Sequence, residues 1–341
     1  MEKKSIPIEK QVLIQFEKLS QKGLIDEKYG PIFTDFMDCY RKTIEARGLD
    51  FNDFIPLFKT FLQLVIETTE NPFLFPLYHK KIRKPFDYYQ FGLDLMSPLI
   101  DVKNSTLQGK DNLKQIENYL AKGENIVLLA NHQVESDPQA ISTLLGQEFK
   151  ALAEKIIYVA GERVISDPLA IPVSLGCDML CIYSKKYLDG DPEQKHARQL
   201  HNTKTMQKMK ELLSEGGKII YVAPSGGRDR PDSKGKVSVA KFDPGSIEMF
   251  YLIAQHATKP THFYPLALAT YAMLPPPDAI QKEMGEKRVT TFTPVHIAFG
   301  KEIPMEEFPG HEEKNKKQRR ENRANFIWNQ VSSLYNQIAT Q

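Results

Sequence analysis

The stretch Ile126-Val127-Leu128-Leu129-Ala130-Asn131-His132-Gln133-Val134-Glu135-Ser136-Asp137-Pro138 decides the fold. Five consecutive apolar residues bounded by polar ones read as a buried strand, because a strand covered on both faces has no solvent side with which to alternate. Residues 131–136 then read as a tight loop. Asp137 and Pro138 read as the N-cap and first position of a helix, where a carboxylate satisfies free backbone N–H groups and proline loses nothing by lacking one. Strand, loop and helix in that order form half of an α/β unit.

Moving outward, short apolar runs recur at residues 156–160, 179–183, 218–222, 262–268 and 289–299, with helical periodicity between them, longest over 193–214. This alternation predicts an α/β fold, a mixed sheet flanked by helices, with functional loops gathered beyond the carboxyl ends of the strands. The amino-terminal part is different. Ile8, Val12, Leu13, Phe16 and Leu19 form a helical stripe, as do Phe33, Phe36, Met37 and Tyr40, and then Phe54, Leu57, Phe58, Phe61, Leu62 and Val65. Gly30-Pro31 and Arg47-Gly48 punctuate these stripes and Asn71-Pro72 closes them. The expected organisation is a helical bundle over 1–72 and an α/β domain over 73–341.

Within the deciding stretch, His132 stands five residues before Asp137. On a helix that spacing would set the two side chains about 140° apart, so the pair belongs to the loop. A neutral imidazole can take a proton from a hydroxyl near neutral pH, and a carboxylate on its far nitrogen fixes the tautomer. Acyl transfer to an alcohol uses such a pair. Spacing alone leaves a second reading open, an N-cap aspartate beside a partly buried histidine.

A second strand end carries Ala223-Pro224-Ser225-Gly226-Gly227-Arg228-Asp229-Arg230-Pro231. Gly226 and Gly227 let backbone approach a ligand, Ser225 offers a hydroxyl, and Arg228 and Arg230 suit an oxyanion such as phosphate. The loop lacks the Gly-Lys-Ser/Thr ending of a nucleotide-binding P-loop. The alternative is a polar turn in which both arginines pair with Asp229 or Asp232. Ser184-Lys185-Lys186-Tyr187 and Gly161-Glu162-Arg163 follow two further strands, so Lys186, Tyr187 and Arg163 are candidates for the same rim, the alternatives being solvated surface for the first segment and a structural Glu-Arg contact for the second.

The 341 residues carry 45 Lys and Arg against 43 Asp and Glu, a formal net charge of +2. That balance argues against nucleic acid as a partner. The chain shows no apolar run of the ~18 residues that a transmembrane helix needs. Its start is neither a signal peptide nor a Ser/Arg-rich transit peptide, which leads to the expectation of a cytoplasmic, bacterial protein, a mature plastid form being the alternative. Cys39, Cys177 and Cys181 lack metal-ligand spacing and read as reduced thiols; no metal or cofactor is expected. Basic residues cluster at 80–84 and in the charged run 312–323.

The ordered words Asn-His-x4-Asp at 131–137, Gly-x-Arg-Val at 161–164, Pro-Ser-Gly-Gly-Arg-Asp-Arg-Pro at 224–231 and Tyr-Pro-Leu-Ala at 264–267 resemble the four blocks of the glycerolipid acyltransferases. Pro-Phe-Asp-Tyr-Tyr-x-Phe-Gly at 85–92, Asp-Pro-Leu at 167–169, Tyr-Ser-Lys-Lys at 183–186 and Gly-Glu-Lys-Arg-Val at 285–289 look more closely like the soluble plastid-type glycerol-3-phosphate acyltransferases and their bacterial relatives. The resemblance covers residues 71–302 and more weakly the amino-terminal helices. It implies transfer of a fatty acyl group from an acyl carrier protein or coenzyme A thioester to the sn-1 hydroxyl of glycerol 3-phosphate, the first step of phospholipid biosynthesis. In that scheme His132 is the base, Asp137 orients it, and Lys186, Arg228 and Arg230 hold the phosphate. Tyr187 stands where the family commonly has histidine, and tyrosine brings no positive charge near pH 7. Lysophosphatidate acylation, or non-catalytic binding of phosphate or carrier protein, are the competing functions. The basic residues at 80–84 and 314–323 are docking candidates for an acidic carrier, and peripheral contact with a membrane is compatible with the sequence.

Overall fold

Three amphipathic helices open the chain because their apolar residues recur every three or four positions. In a computed structural model, which describes residues 6–146, 148–183, 192–277 and 284–339, they are α1 (Ile8–Gln21), α2 (Tyr29–Glu45) and α3 (Ile55–Glu70). Val12, Phe16, Phe33, Phe36, Phe58 and Val65 are essentially solvent-free, and the Phe33 ring packs 5.0 Å from Phe61 and 6.3 Å from Phe58. Leu13, expected on the first stripe, is 44 % exposed, one position off the buried line. Gly30 and Pro31 lie within the first turn of α2 rather than before it, where proline gives up no helical hydrogen bond.

The connector forms β1 (Tyr78–His79), α4 (Tyr88–Met96), β2 (Thr106–Gln108) and α5 (Lys110–Ala121). Then follow β3 (Asn125–Ala130), α6 (Asp137–Leu145), α7 (Lys150–Ala153), β4 (Ile156–Gly161), α8 (Glu162–Ser166), α9 (Ile171–Ser174) and β5 (Asp178–Ile182). The remainder comprises α10 (Pro192–Glu215), β6 (Ile219–Val222), α11 (Pro244–Gln255), β7 (Thr261–Ala269), β8 (His296–Phe299) and α12 (Lys316–Ile338). The strands make one sheet in the order β1-β5-β4-β6-β3-β7-β8-β2. Its five central strands are parallel, while β1 on β5 and β8 on β7 run antiparallel, so the sheet is mixed as expected.

β3 lies at the centre, with all six residues buried. Val127 and Leu129 join a core with α10, α11 and α12, while Ile126, Leu128 and Ala130 face α5, α6 and α7, as the two-residue period of a strand requires. Burying each aliphatic side chain there contributes roughly 1.5–3 kcal/mol. A third cluster joins the amino-terminal helices to Leu95, Leu99, Val134, Ala140, Leu169 and Leu274, so apolar packing is continuous across residue 72 and reaches the back of the 131–136 loop.

The expected strand at 289–299 shrinks to β8. Pro294 offers no N–H to a ladder, and Thr290, Thr291 and Thr293 instead bond to Cys39, Met273 and Leu99. The three cysteines are free thiols; burial pushes both Cys177 and Cys181 up to about 12, which makes them unreactive.

Candidate active site

Because β3, β4, β6 and β7 are parallel, their carboxyl ends share one rim, and each delivers a loop there. β3 leads to His132, β4 to Arg163, β6 to the 223–231 loop and β7 to Thr270. The segment with Lys186 and Tyr187 lies outside the described residues.

His132 Nδ1 is 2.8 Å from Asp137 Oδ2, so the aspartate does fold back onto the imidazole. The same oxygen accepts the Gln133 backbone N–H at 2.9 Å, and Oδ1 accepts the Thr270 hydroxyl at 2.6 Å. An ionised carboxylate only accepts, so Nδ1 carries the hydrogen and Nε2 presents its lone pair. Asp137 is 1 % exposed and the His132 side chain 30 %, a buried carboxylate behind an accessible imidazole. The capping assignment shifts by one: Ser136 is the N-cap, without a side-chain capping bond, and Asp137 is the first residue of α6. Its oxygens are already taken by His132, Gln133 and Thr270.

The histidine loop is latched to the arginine loop. Asp229 N–H donates to the His132 carbonyl at 2.7 Å, and Asp229 Oδ2 accepts from Asn131 Nδ2 at 2.8 Å and Gln133 Nε2 at 3.3 Å. Asp229 Oδ1 accepts from Ala240 N at 2.8 Å. Burial raises the Asp229 carboxyl above the usual carboxylate range, against the lowering effect of these donors. Gln133 Oε1 also accepts from Thr270 N at 2.7 Å and Tyr271 N at 2.9 Å, tying in the β7 end. Asp229→Ala strips a partner from two buried donors, Asn131 Nδ2 and Gln133 Nε2, each costing about 1–3 kcal/mol when unmet, and from the half-buried Ala240 N–H. Denaturant unfolding is expected to show a loss of roughly 3 kcal/mol or more; a loss below about 1 kcal/mol would remove Asp229 from the latch.

Arg228 and Arg230 flank Asp229 and so stand beside the histidine loop. Local pairing with Asp229 or Asp232 does not occur: Asp229 forms the latch, and Asp232 accepts from the backbone of Lys234 and Lys236. Arg228 Nη2 instead donates to Glu286 Oε2 at 2.5 Å, with Glu135 Oε1 3.9 Å from Nη1. Arg163 Nη1 takes the other oxygen, Glu286 Oε1. Arg288 donates to Glu135 Oε2 at 3.0 Å and lies 3.5 Å from Asp167 Oδ1. Burial acts to lower the Arg288 guanidinium, but Glu135 and Asp167 outweigh it and hold its affinity for the proton above the ordinary value. Arg230 makes weak bonds to the carbonyls of Arg228 and Asp229 at 3.4 and 3.2 Å, and its buried Nε has no hydrogen-bond partner among the described residues. Burial, then the neighbouring Arg228, lowers its proton affinity, as expected for a cation short of counter-charge.

Ser225 donates to the Gly227 carbonyl at 2.9 Å, closing a turn in which Gly226 adopts φ +68°. A side chain at either glycine would meet nothing within 4 Å, so both border open space. A mainly apolar cleft lies behind the dyad loop, lined by Phe36, Phe61, Leu95, Leu169, Val173 and Leu274 together with Glu135 and Ser136.

Sequence reasoning missed Thr270, Gln133, Glu135, Asp167, Glu286 and Arg288 as parts of this site. Glu286 and Arg288 sat in the 285–289 word without an assigned role, and only tertiary proximity shows what they touch. Of the docking candidates, Lys81 pairs with Asp178 at 3.4 Å and Arg83 with Asp87 and Glu154 at 2.9 Å each. Arg323 is 7 % exposed, bound to Glu248 and stacked on Tyr251, and serves packing. Among the described residues no helix is long and apolar enough to cross a membrane.

The histidine held by a buried aspartate stands beside an arginine loop on one sheet rim, and the Acyltransferase family model matches residues 104–269. Those residues hold His132, Asp137, Arg163, Arg228, Arg230 and Thr270. The chain belongs to the glycerol-3-phosphate acyltransferase family: it is 37 % identical to the chloroplastic enzyme of Cucurbita moschata over 335 residues, 97 % of this chain and 72 % of that protein. It is 36 % identical to the chloroplastic enzyme of Spinacia oleracea over 86 % of this chain and 63 % of that protein, so it spans less than two thirds of that relative's length. The crystal structure of the 1-acyl-sn-glycerophosphate acyltransferase from Thermotoga maritima aligns with 96 % of this chain and 97 % of that one at 15 % identity and TM-score 0.40, too distant a likeness to bear on the site. The expected bacterial cytoplasmic setting is overturned: the relatives are named chloroplastic, which points to a plastid. That expectation rested on the amino-terminal residues alone, and compartment does not follow from them.

Proposed function

We propose that this chain transfers a fatty acyl group from an acyl carrier protein or coenzyme A thioester to the sn-1 hydroxyl of glycerol 3-phosphate. The observation that carries the proposal is the His132–Asp137 contact of 2.8 Å on a loop bonded, through His132 carbonyl and Asp229 N–H at 2.7 Å, to the loop of Arg228 and Arg230. The base and a phosphate anchor thereby share one small acceptor. His132 Nε2 takes the sn-1 hydroxyl proton, and the imidazolium is held by Asp137. The alkoxide oxygen bonds to the thioester carbonyl carbon, the carbon–sulfur bond breaks, and the proton passes from His132 to the leaving thiolate. No covalent acyl-enzyme is required. Arg228 and Arg230 bind the phosphate with charge-assisted hydrogen bonds; Lys186 and Tyr187 complete that assignment from the sequence, Arg163 borders it, and Ser225, Gly226 and Gly227 supply the turn.

The apolar cleft behind Glu135 and Ser136 receives the acyl chain, since its lining offers alkyl and aromatic surface that a polar acceptor cannot use. Val173→Phe in that lining is expected to shift donor preference towards shorter chains by about tenfold, since a few buried methylenes at ~0.8 kcal/mol each are displaced. An unchanged chain-length profile would move the acyl site elsewhere. The acceptor assignment is tested by supplying glycerol 3-phosphate, glycerol and lysophosphatidate with both kinds of thioester. Product is expected from glycerol 3-phosphate and very little from glycerol; exclusive use of lysophosphatidate refutes the proposal.

A further inference from the structure

We infer that Glu286 is a resident counter-ion of the acceptor site, a carboxylate that holds Arg163 and Arg228 and must yield Arg228 to the incoming phosphate. This rests on the acceptor reading proposed above. Glu286 belongs to no strand or helix, yet its two oxygens engage guanidinium groups from two different strand ends, Oε1 with Arg163 and Oε2 with Arg228 at 2.5 Å. Its side chain is 6 % exposed. A carboxylate and a phosphate make the same paired contacts with guanidinium, so the two anions compete for Arg228.

Three neighbouring features show how the exchange proceeds. Arg230, on the same loop as Arg228, keeps a buried Nε without a partner among the described residues, so phosphate gains a donor that Glu286 leaves unused. Glu135 is committed to Arg288 at 3.0 Å and stands 3.9 Å from Arg228, so it does not replace Glu286 as the counter-ion. Asp167 anchors the segment around Glu286, accepting the Gly285 backbone N–H at 3.1 Å and lying 3.5 Å from the Arg288 side-chain Nη2. Glu286 therefore swings by side-chain rotation while Arg163 remains within its reach. The exchange also sets selectivity: a monoanionic carboxylate acceptor brings no more charge than the Glu286 it displaces, whereas a phosphate dianion brings twice as much.

The test compares wild-type chain, Glu286→Gln and Glu286→Asp in two measurements, thermal stabilisation by inorganic phosphate and the acceptor KM. Removing the competing charge is expected to lower the half-saturating phosphate concentration and the KM for glycerol 3-phosphate by about tenfold in Glu286→Gln. Glu286→Asp, whose shorter side chain cannot span both arginines, moves both values the same way by a smaller factor, and it decides the matter if the amide variant gives no cooperative melt. A merely structural Glu286 gives the opposite sign, a higher KM and weaker phosphate binding. A wild-type response to phosphate that the variants leave unchanged or weaken overturns this inference alone. No wild-type response to phosphate or glycerol 3-phosphate overturns the acceptor reading, and this inference with it.

Discussion

Asp137→Asn is expected to lower kcat by about 10³–10⁴ and His132→Ala by at least about 100-fold, with folding and acceptor affinity retained. The loss expected at Asp137, a residue that never touches substrate, follows from the hydrogen-bond inventory. Asp137 accepts from His132 Nδ1, the Gln133 N–H and the Thr270 hydroxyl. An asparagine must place its NH₂ either where Oδ2 stands, against both His132 Nδ1 and the Gln133 N–H, or where Oδ1 stands, against the Thr270 hydroxyl. If the amide faces His132, its NH₂ points at Nδ1, which becomes the acceptor, and the proton moves to Nε2, where the substrate hydroxyl must be deprotonated. The base is then present in the wrong tautomer. His132→Ala removes a 30 % exposed side chain and leaves Asp137 with two of its three donors, so folding is little disturbed. Kinetics at saturating acceptor, with binding followed by calorimetry, check this: a kcat within tenfold of wild type in either variant removes that residue from the mechanism.

Arg230→Ser and Arg228→Ser are expected to separate by stability although both raise the acceptor KM. Arg230 holds only two backbone carbonyls, at 3.2 and 3.4 Å, so its loss costs the fold little while removing a phosphate donor. Its KM should rise by about tenfold to 100-fold, the range for one charged hydrogen bond, with the melting temperature nearly unchanged. Arg228 is 12 % exposed and bound to Glu286, whose carboxylate loses that partner in the serine variant. Stripping one partner from a buried charge pair costs up to about 3–5 kcal/mol, so Arg228→Ser should also lower thermal stability by several degrees. Equal KM in wild type and Arg230→Ser sinks the phosphate role of Arg230; equal stability of the two variants contradicts the ion-pair arrangement.

The central sheet was legible because β3 is apolar along its whole length and the following loop and helix carry the residues that end a strand and start a helix. Parallel alternation alone places the His132 and Arg228 loops on one rim. β1 and β2 escaped notice because two- and three-residue edge strands carry no periodicity. The strand at 289–299 was overextended because Val289, Val295 and the residues after it look alike locally, while Pro294 and contacts to α2 decide otherwise. The dyad and the arginine loop were readable since their chemistry lies in single short words. Their counter-charges were not: Glu286 lies 58 positions from Arg228 and Arg288 lies 153 from Glu135. Gln133 and Thr270 are invisible for the same reason, as bridges between strand ends whose function exists only once the sheet is assembled.

The most direct measurement is the rate at which purified wild-type chain and His132→Ala form 1-acylglycerol 3-phosphate from glycerol 3-phosphate and acyl carrier protein or coenzyme A thioesters. The account predicts thioester-dependent product from the wild type at least about 100-fold faster than from the variant, with acylation at the sn-1 oxygen. Equal rates from the two chains, or no acylation of glycerol 3-phosphate by the wild type with either donor, would contradict it.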